Sequence, residues 1–174
     1  FYIEAFSALS HRLAEAGLQM PEPDPRSRER TDRRTRLLEV TEAACRWFRL
    51  QLQTGAAAEA RDYLARRRLD QAALERFEIG FAPDSRTALT SALRDKGFDE
   101  SLIVESGMSA RPDNGGAAYD RFRGRIIFPI RDGQGRCIGF GGRAMDPNAR
   151  AKYLNSPETL LDYWRSQSVV RPLG

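Results

Sequence analysis

Residues 119–132 read YDRFRGRIIFPIRD, and this stretch decides the fold. From Tyr119 the apolar period becomes two, with Ile126, Phe128 and Ile130 on one face of a predicted strand. The following DGQG (132–135) reads as a turn and residues 136–143 as a return strand, which makes a hairpin. Within the same stretch Arg121, Arg123 and Arg125 fall on one face of an extended segment, and Phe122 faces the other way with the apolar set. A row of guanidiniums about 7 Å apart matches the phosphates of an extended single strand. The competing reading is a solvated sheet edge whose charges block strand-to-strand aggregation.

Upstream of this hairpin the period is helical. Leu37, Leu38, Val40, Ala44, Trp47, Phe48 and Leu52 predict a helix over about 35–53, and a second covers about 57–67. Three shorter helices follow, each introduced by an aspartate suited to N-capping: Asp70, Asp84 and Asp99. Gly97 and Gly107 sit where two of them should end, and 111–118 (RPDNGGAA) is a loop. Helices followed by strands, without a βαβ rhythm, place the chain in the α+β class, with a small antiparallel or mixed sheet. Farther upstream, Ile3, Phe6, Leu9, Leu13 and Ala16 are spaced for a helix over 2–16 that Gly17 would stop. Residues 21–34, with three prolines and dense mixed charge, read as a linker.

Of the 28 basic residues only Lys96 and Lys152 are lysines. A GC-rich coding bias accounts for much of the arginine, but not for its position. Residues 111–152 carry five more basic than acidic groups, which leaves the rest of the chain at about −1 of the net +4. Phosphate recognition is one physical use for such a surplus.

Several chemistries find no material. Cys45 and Cys137 lie far apart without a Cys-x-x-Cys, so neither a zinc site nor a disulfide framework is expected, and a reducing cytoplasm fits. His11 is the sole histidine and reads as a surface residue. Mean hydropathy is −0.56, and no apolar run approaches the roughly 20 residues that span a bilayer. In GQGRCIGFGGR (133–143) the glycines miss the G-x-G-x-x-G register, and no Lys-Ser/Thr closes a phosphate loop. Gly139, Gly141 and Gly142 fit better as strand positions that another backbone or a nucleic acid approaches closely, with Arg143 pointing into the gap. AKYLNSPET (151–159) sets Lys152 beside the stacking ring of Tyr153, with Asn155 and Ser156 following.

Four blocks in order, YLARRRLDQAALERFEIGFAP (63–83), YDRFRGRIIFPIRD (119–132), GRCIGFGGRAM (135–145) and DPNARAKYLNSPET (146–159), resemble the N-terminal subdomain of the bacterial DnaG-type primase core. The resemblance covers about 35–159, and 1–20 is similar to the last helix of that family's zinc-binding domain. It implies a part of a DNA-directed RNA polymerase, a nucleotidyltransferase that makes RNA primers for DNA replication within the primosome. It implies binding of single-stranded DNA template and RNA primer through Arg67, Arg121, Arg125, Arg143, Lys152, Tyr153 and Asn155, to which the charge pattern adds Arg123. No catalytic residue and no metal ligand is assigned to this chain. The family's Mg²⁺-binding glutamate and Asp-x-Asp belong to a toprim subdomain, its Zn²⁺ ligands to the zinc-binding domain, and its contact with the replicative helicase to a C-terminal domain. The expected state is a cytoplasmic monomer, and no Asp-x-Asp occurs in these 174 residues, so the chain alone is expected to be inactive. Two departures stand out. Arg67-Arg68-Leu69 replaces the family's Arg-Gly-Leu, and 160–174 lacks the family's continuation and reads as an aberrant or truncated tail. The alternatives are a stand-alone single-strand-binding module and a gene remnant.

Overall fold

The computed structural model describes residues 11–12, 15–17, 24–159 and 161. The chain divides into two compact units, 1–33 and 34–174. The helix expected over 2–16 lies largely outside the described residues. Within them, Ala16 N–H donates to the Arg12 carbonyl, and Gly17 takes the left-handed φ of +71° that a helix stop requires.

In chain order the elements are α1 (Pro25–Gln51), a 3₁₀ turn (Gly55–Ala57), α2 (Ala58–Arg66), α3 (Gln71–Arg76), β1 (Gly80–Ala82), α4 (Ala88–Asp95), α5 (Glu100–Glu105), β2 (Ser109–Ala110), β3 (Tyr119–Asp120), β4 (Arg125–Arg131), β5 (Cys137–Ala144) and β6 (Tyr153–Asn155). An antiparallel sheet runs β1-β4-β5-β6, and β2 and β3 pair separately. The α+β expectation and the β4–β5 hairpin are both present.

The linker expectation needs correcting from Pro25 onward, because 25–34 is helical. The start is well made: Asp24 Oδ1 accepts the Arg26 N–H at 3.1 Å, and Pro25 sits at the first helical position, where its missing N–H costs nothing. The charged residues that follow are mostly Arg and Glu, both good helix formers.

The sheet is covered on both faces. On one, Phe48 of α1 meets Phe122 and Phe140 edge-to-face, at ring centroid distances of 6.3 and 5.4 Å, within a core that includes Leu37, Val40, Ile127 and Ile138. On the other, Ala60 and Leu64 of α2 bury Phe81 and Ile126. Phe128 shares the face of Ile126 but is 38% exposed. Close approach to the sheet is real at the predicted glycines, but the chain itself supplies the neighbour. A Cβ on Gly142 would stand 2.8 Å from the Phe122 ring, and one on Gly139 would stand 2.5 Å from Ser156 Oγ.

Asp70 caps α3 through Ala73 N–H at 2.8 Å, and Asp99 occupies the N-cap of α5 without a side-chain bond. Asp84 does not cap α4, which begins at Ala88. There the carboxylate of buried Asp120 accepts the Leu89 and Thr90 N–H groups at 2.8 and 2.9 Å, from thirty residues away in sequence.

Two helices end in Schellman turns whose left-handed residue is not glycine: Arg68 after α2 (φ +61°) and Glu78 after α3 (φ +53°). At the first, Arg68 N–H donates to Ala65 O and Leu69 N–H to Leu64 O. Arg68 is exposed, and nothing among the described residues compensates its backbone strain. Arg68→Gly should therefore stabilise the protein by about 1 kcal/mol. That corresponds to a rise of roughly 2–4 °C in Tm by calorimetry, and an unchanged or lower Tm would contradict it.

Leu161, in the segment read as an aberrant tail, is buried in the larger core. The rest of 160–174 lies outside the described residues.

Candidate nucleic-acid interface

Strand β6 forms one rim of the site. It pairs with β5 so that Tyr153 lies beside Arg143 and Asn155 beside Gly141, on one face of the sheet. Tyr153 is 67% exposed, and the Lys152 ammonium sits 5.8 Å from its ring centroid. Arg143 turns toward α2, where its guanidinium carbon stands 4.1 Å above the ring of Tyr63. Arg67 reaches the same ring at 5.3 Å. Thus Arg67, Arg143, Lys152, Tyr153 and Asn155, predicted from separate blocks, gather around α2 and the β5–β6 edge. Arg143 does not point into a glycine gap as expected, because Phe122 and Ser156 fill that space and Tyr63 offers a stacking surface.

Arg121, Arg123 and Arg125 meet by a different route from the one expected. They are not a row on one strand. β3 ends at Asp120, Gly124 adopts a left-handed φ of +57°, and β4 begins only at Arg125. The chain bends at Gly124, and Arg121, Arg123 and Arg125 all contribute to the lining of a cavity of about 810 Å³, together with Glu59, Asp84 and Asp146. Phe122 does enter the core as expected.

Each of these arginines has a distinct hold. Arg121 Nε donates to Gly107 O at 3.1 Å, and Arg125 Nη1 donates to Gly142 O and Lys152 O, both at 3.4 Å. Burial, then the nearby Arg123 cation, lowers the Arg125 pKa from its ordinary value. Arg123 is exposed, with its guanidinium 5.7 Å from the Tyr119 ring. None of the three forms an ion pair with an acid among the described residues.

A second cavity of about 320 Å³, lined by Tyr63, Arg66 and Arg143, adjoins the first through Glu59, Met145 and Pro147. The eight predicted residues therefore occupy two neighbouring clusters, not one groove wall. Tyr63, Arg66, Met145 and Pro147 were not foreseen. For Tyr63 a signal existed, since it precedes Arg67 by one helical turn, at i,i+4. Among the described residues no three of His, Cys, Asp or Glu gather as metal ligands would, and no helix is long and apolar enough to cross a membrane.

Comparison with known proteins agrees with this fold. Residues 47–167 match the family described as DNA primase catalytic core, N-terminal domain. The match runs past Thr159, where the resemblance was expected to end. A DNA primase of Deinococcus radiodurans is 40% identical over 156 residues, covering 89% of this chain and 26% of the relative. The chain thus spans about a quarter of the curated relatives it matches. Among solved structures, the RNA polymerase domain of Mycobacterium tuberculosis primase in complex with a double-stranded DNA oligomer with a 6-nucleotide overhang superposes with a TM-score of 0.69 at 40% identity. That match covers 73% of this chain and 40% of the other. A DnaG primase catalytic domain bound to single-stranded DNA superposes at 0.68 with 39% identity, over 75% of this chain and 42% of the other. With its helical first half, small antiparallel sheet and this degree of identity, the chain belongs to the DNA primase family and carries the N-terminal domain of its catalytic core.

Proposed function

We propose that this chain holds single-stranded template and the nascent RNA primer for primer synthesis in DNA replication. The observation that carries the reading is the exposed Tyr153 ring, flanked by Lys152 and set in register beside Arg143 on the outer strand. An exposed ring with cations at its side stacks a base of any identity while the cations hold the flanking phosphates. Arg121, Arg123 and Arg125 add three cations to a cavity lining that also holds Glu59, Asp84 and Asp146, and Arg123 is the exposed one of the three. On this reading the chain supplies binding and orientation to a nucleotidyltransferase, and by itself transfers no nucleotide. Mg²⁺ and Zn²⁺, which the resemblance implies for the whole enzyme, find no ligand set among the described residues, so no step here runs through either. A replicative helicase as partner, a monomeric state and a cytoplasmic setting belong to the same proposal.

The test is fluorescence anisotropy of a labelled single-stranded oligonucleotide across a salt series. Affinity should fall with salt, with a log–log slope of about 0.7 per neutralised phosphate. Arg123→Ala with Lys152→Ala should flatten that slope. Tyr153→Ala should cost about 1–3 kcal/mol and leave the slope in place. Arg125 is a poor probe, because its bonds to Gly142 O and Lys152 O also brace β5 against β6. Unchanged affinity and slope in all these variants would remove the assignment.

A further inference from the structure

Tyr63 joins Arg67 and Arg143, two cations that come from elements far apart in sequence. It projects from α2, packs at the margin of the smaller core and is half-buried. Arg67 stands at the C-terminal end of the same helix, whereas Arg143 comes from β5, eighty residues later. Both guanidiniums lie within cation–π range of this one ring, at 5.3 and 4.1 Å. Neither forms an ion pair with an acid among the described residues. Arg143 Nε is buried without a hydrogen-bond partner, and Nη1 reaches only the neighbouring Ala144 carbonyl at 3.2 Å. An arginine held by so few hydrogen bonds would sample many rotamers, since its side chain loses on the order of 2 kcal/mol of rotamer freedom when fixed. Among the described residues the Tyr63 ring is the one aromatic face that restricts it.

We propose that Tyr63 is a positioning residue: its ring fixes the guanidinium planes of Arg67 and Arg143 together, so that both meet the same phosphate-bearing strand. The proposal rests on the nucleic-acid-binding reading above. Stacking constrains a guanidinium in its plane and leaves the in-plane N–H edge for a phosphate oxygen. Holding two unpaired cations on one ring concentrates positive charge that an anion relieves. The Tyr63 hydroxyl has no part in this, so phenylalanine should serve as well.

The experiment uses the 174-residue chain with Tyr63→Phe, Tyr63→Leu, Arg143→Ala and the Tyr63→Leu/Arg143→Ala double variant. Leucine keeps an apolar contact with the smaller core but offers no π face. Binding of single-stranded DNA should be near wild type in Tyr63→Phe and about three- to tenfold weaker in Tyr63→Leu. In the double variant Tyr63→Leu should cost less than it does alone, because the ring then has only Arg67 left to hold. An independent readout is the NMR signal of Arg143 Nε–H. Ring current should shift it in the wild type and in Tyr63→Phe, and the shift should vanish in Tyr63→Leu while the remaining spectrum keeps its dispersion. Full additivity of the two substitutions, or an Arg143 signal indifferent to Tyr63→Leu, would overturn the proposal. A wild type that binds no single-stranded DNA yet shows the ring-current shift would sink the binding reading and leave the stacked geometry standing. Absence of the shift sinks the positioning role itself.

Discussion

Asp120→Ala is expected to lower the stability of the protein by about 3–5 kcal/mol, measured by urea unfolding. The carboxylate is 2% exposed and accepts three hydrogen bonds, from Leu89 N–H, Thr90 N–H and the Thr90 hydroxyl, the last at 2.6 Å. A hydroxyl has one proton, so with Thr90 donating to Asp120, Ser109 must be the donor in its 2.6 Å contact with Thr90. Removing the carboxylate strands two buried N–H groups, each of which costs about 1–3 kcal/mol when left unmet, and leaves the Thr90 hydroxyl to turn its proton to Ser109. Asp120→Asn should recover only part of the loss, because its amide nitrogen cannot accept from the helix. A loss below about 1 kcal/mol in the alanine variant would mean that water or relaxation replaces the carboxylate.

Arg131→Met should cost about 2–4 kcal/mol at neutral pH. Arg131 bridges Glu42 of α1 and Glu78 of the turn after α3: Nη1 donates to Glu42 Oε1 at 2.5 Å, and Nε and Nη2 both engage the Glu78 carboxylate. Nη1 also donates to Gly135 O at 2.7 Å, which ties in the hairpin turn. Methionine keeps the apolar stem but leaves two carboxylates near each other, one of them on the strained Glu78 backbone. The side chains are about a quarter to a third exposed, which holds the expected loss below that of a fully buried pair. Burial alone would raise the Glu42 pKa, but the Arg131 hydrogen bond and the Cys137 N–H together hold it below the ordinary carboxylate value. A depressed folded pKa contributes stability that is present above the unfolded pKa and is lost as pH falls through the folded one. The gap between wild type and Arg131→Met should therefore be widest near neutrality and close as the acids protonate, below about pH 4. A pH-independent gap would place the cost in packing and not in charge.

What the sequence disclosed were the features written locally. The β4–β5 hairpin announced itself by its period and its Asp-Gly turn, and Asp70 stood at a true helix start. The error at 25–34 arose because prolines and mixed charge look alike in a tether and in the first turns of an exposed helix. Asp120 was invisible as a cap, since the helix it serves begins thirty residues earlier. Ile126, Phe128 and Ile130 were read as the buried face, but the sheet has helices on both sides, and Ile127 on the opposite face joins the larger core. For the candidate site, the residue types were legible and their grouping was not. One left-handed glycine at 124 turns a supposed row of arginines into the lining of a cavity.

Asp120 has a further consequence for how anions can be held. The N-terminus of a helix carries a partial positive charge that elsewhere cradles phosphate without any side chain. In α4 that seat is filled by the protein's own carboxylate, through the Leu89 and Thr90 N–H groups, one residue before Arg121. A phosphate arriving near Arg121 therefore finds this helix end already neutralised from within. Its attraction there must come from side-chain guanidiniums and not from a fixed backbone dipole.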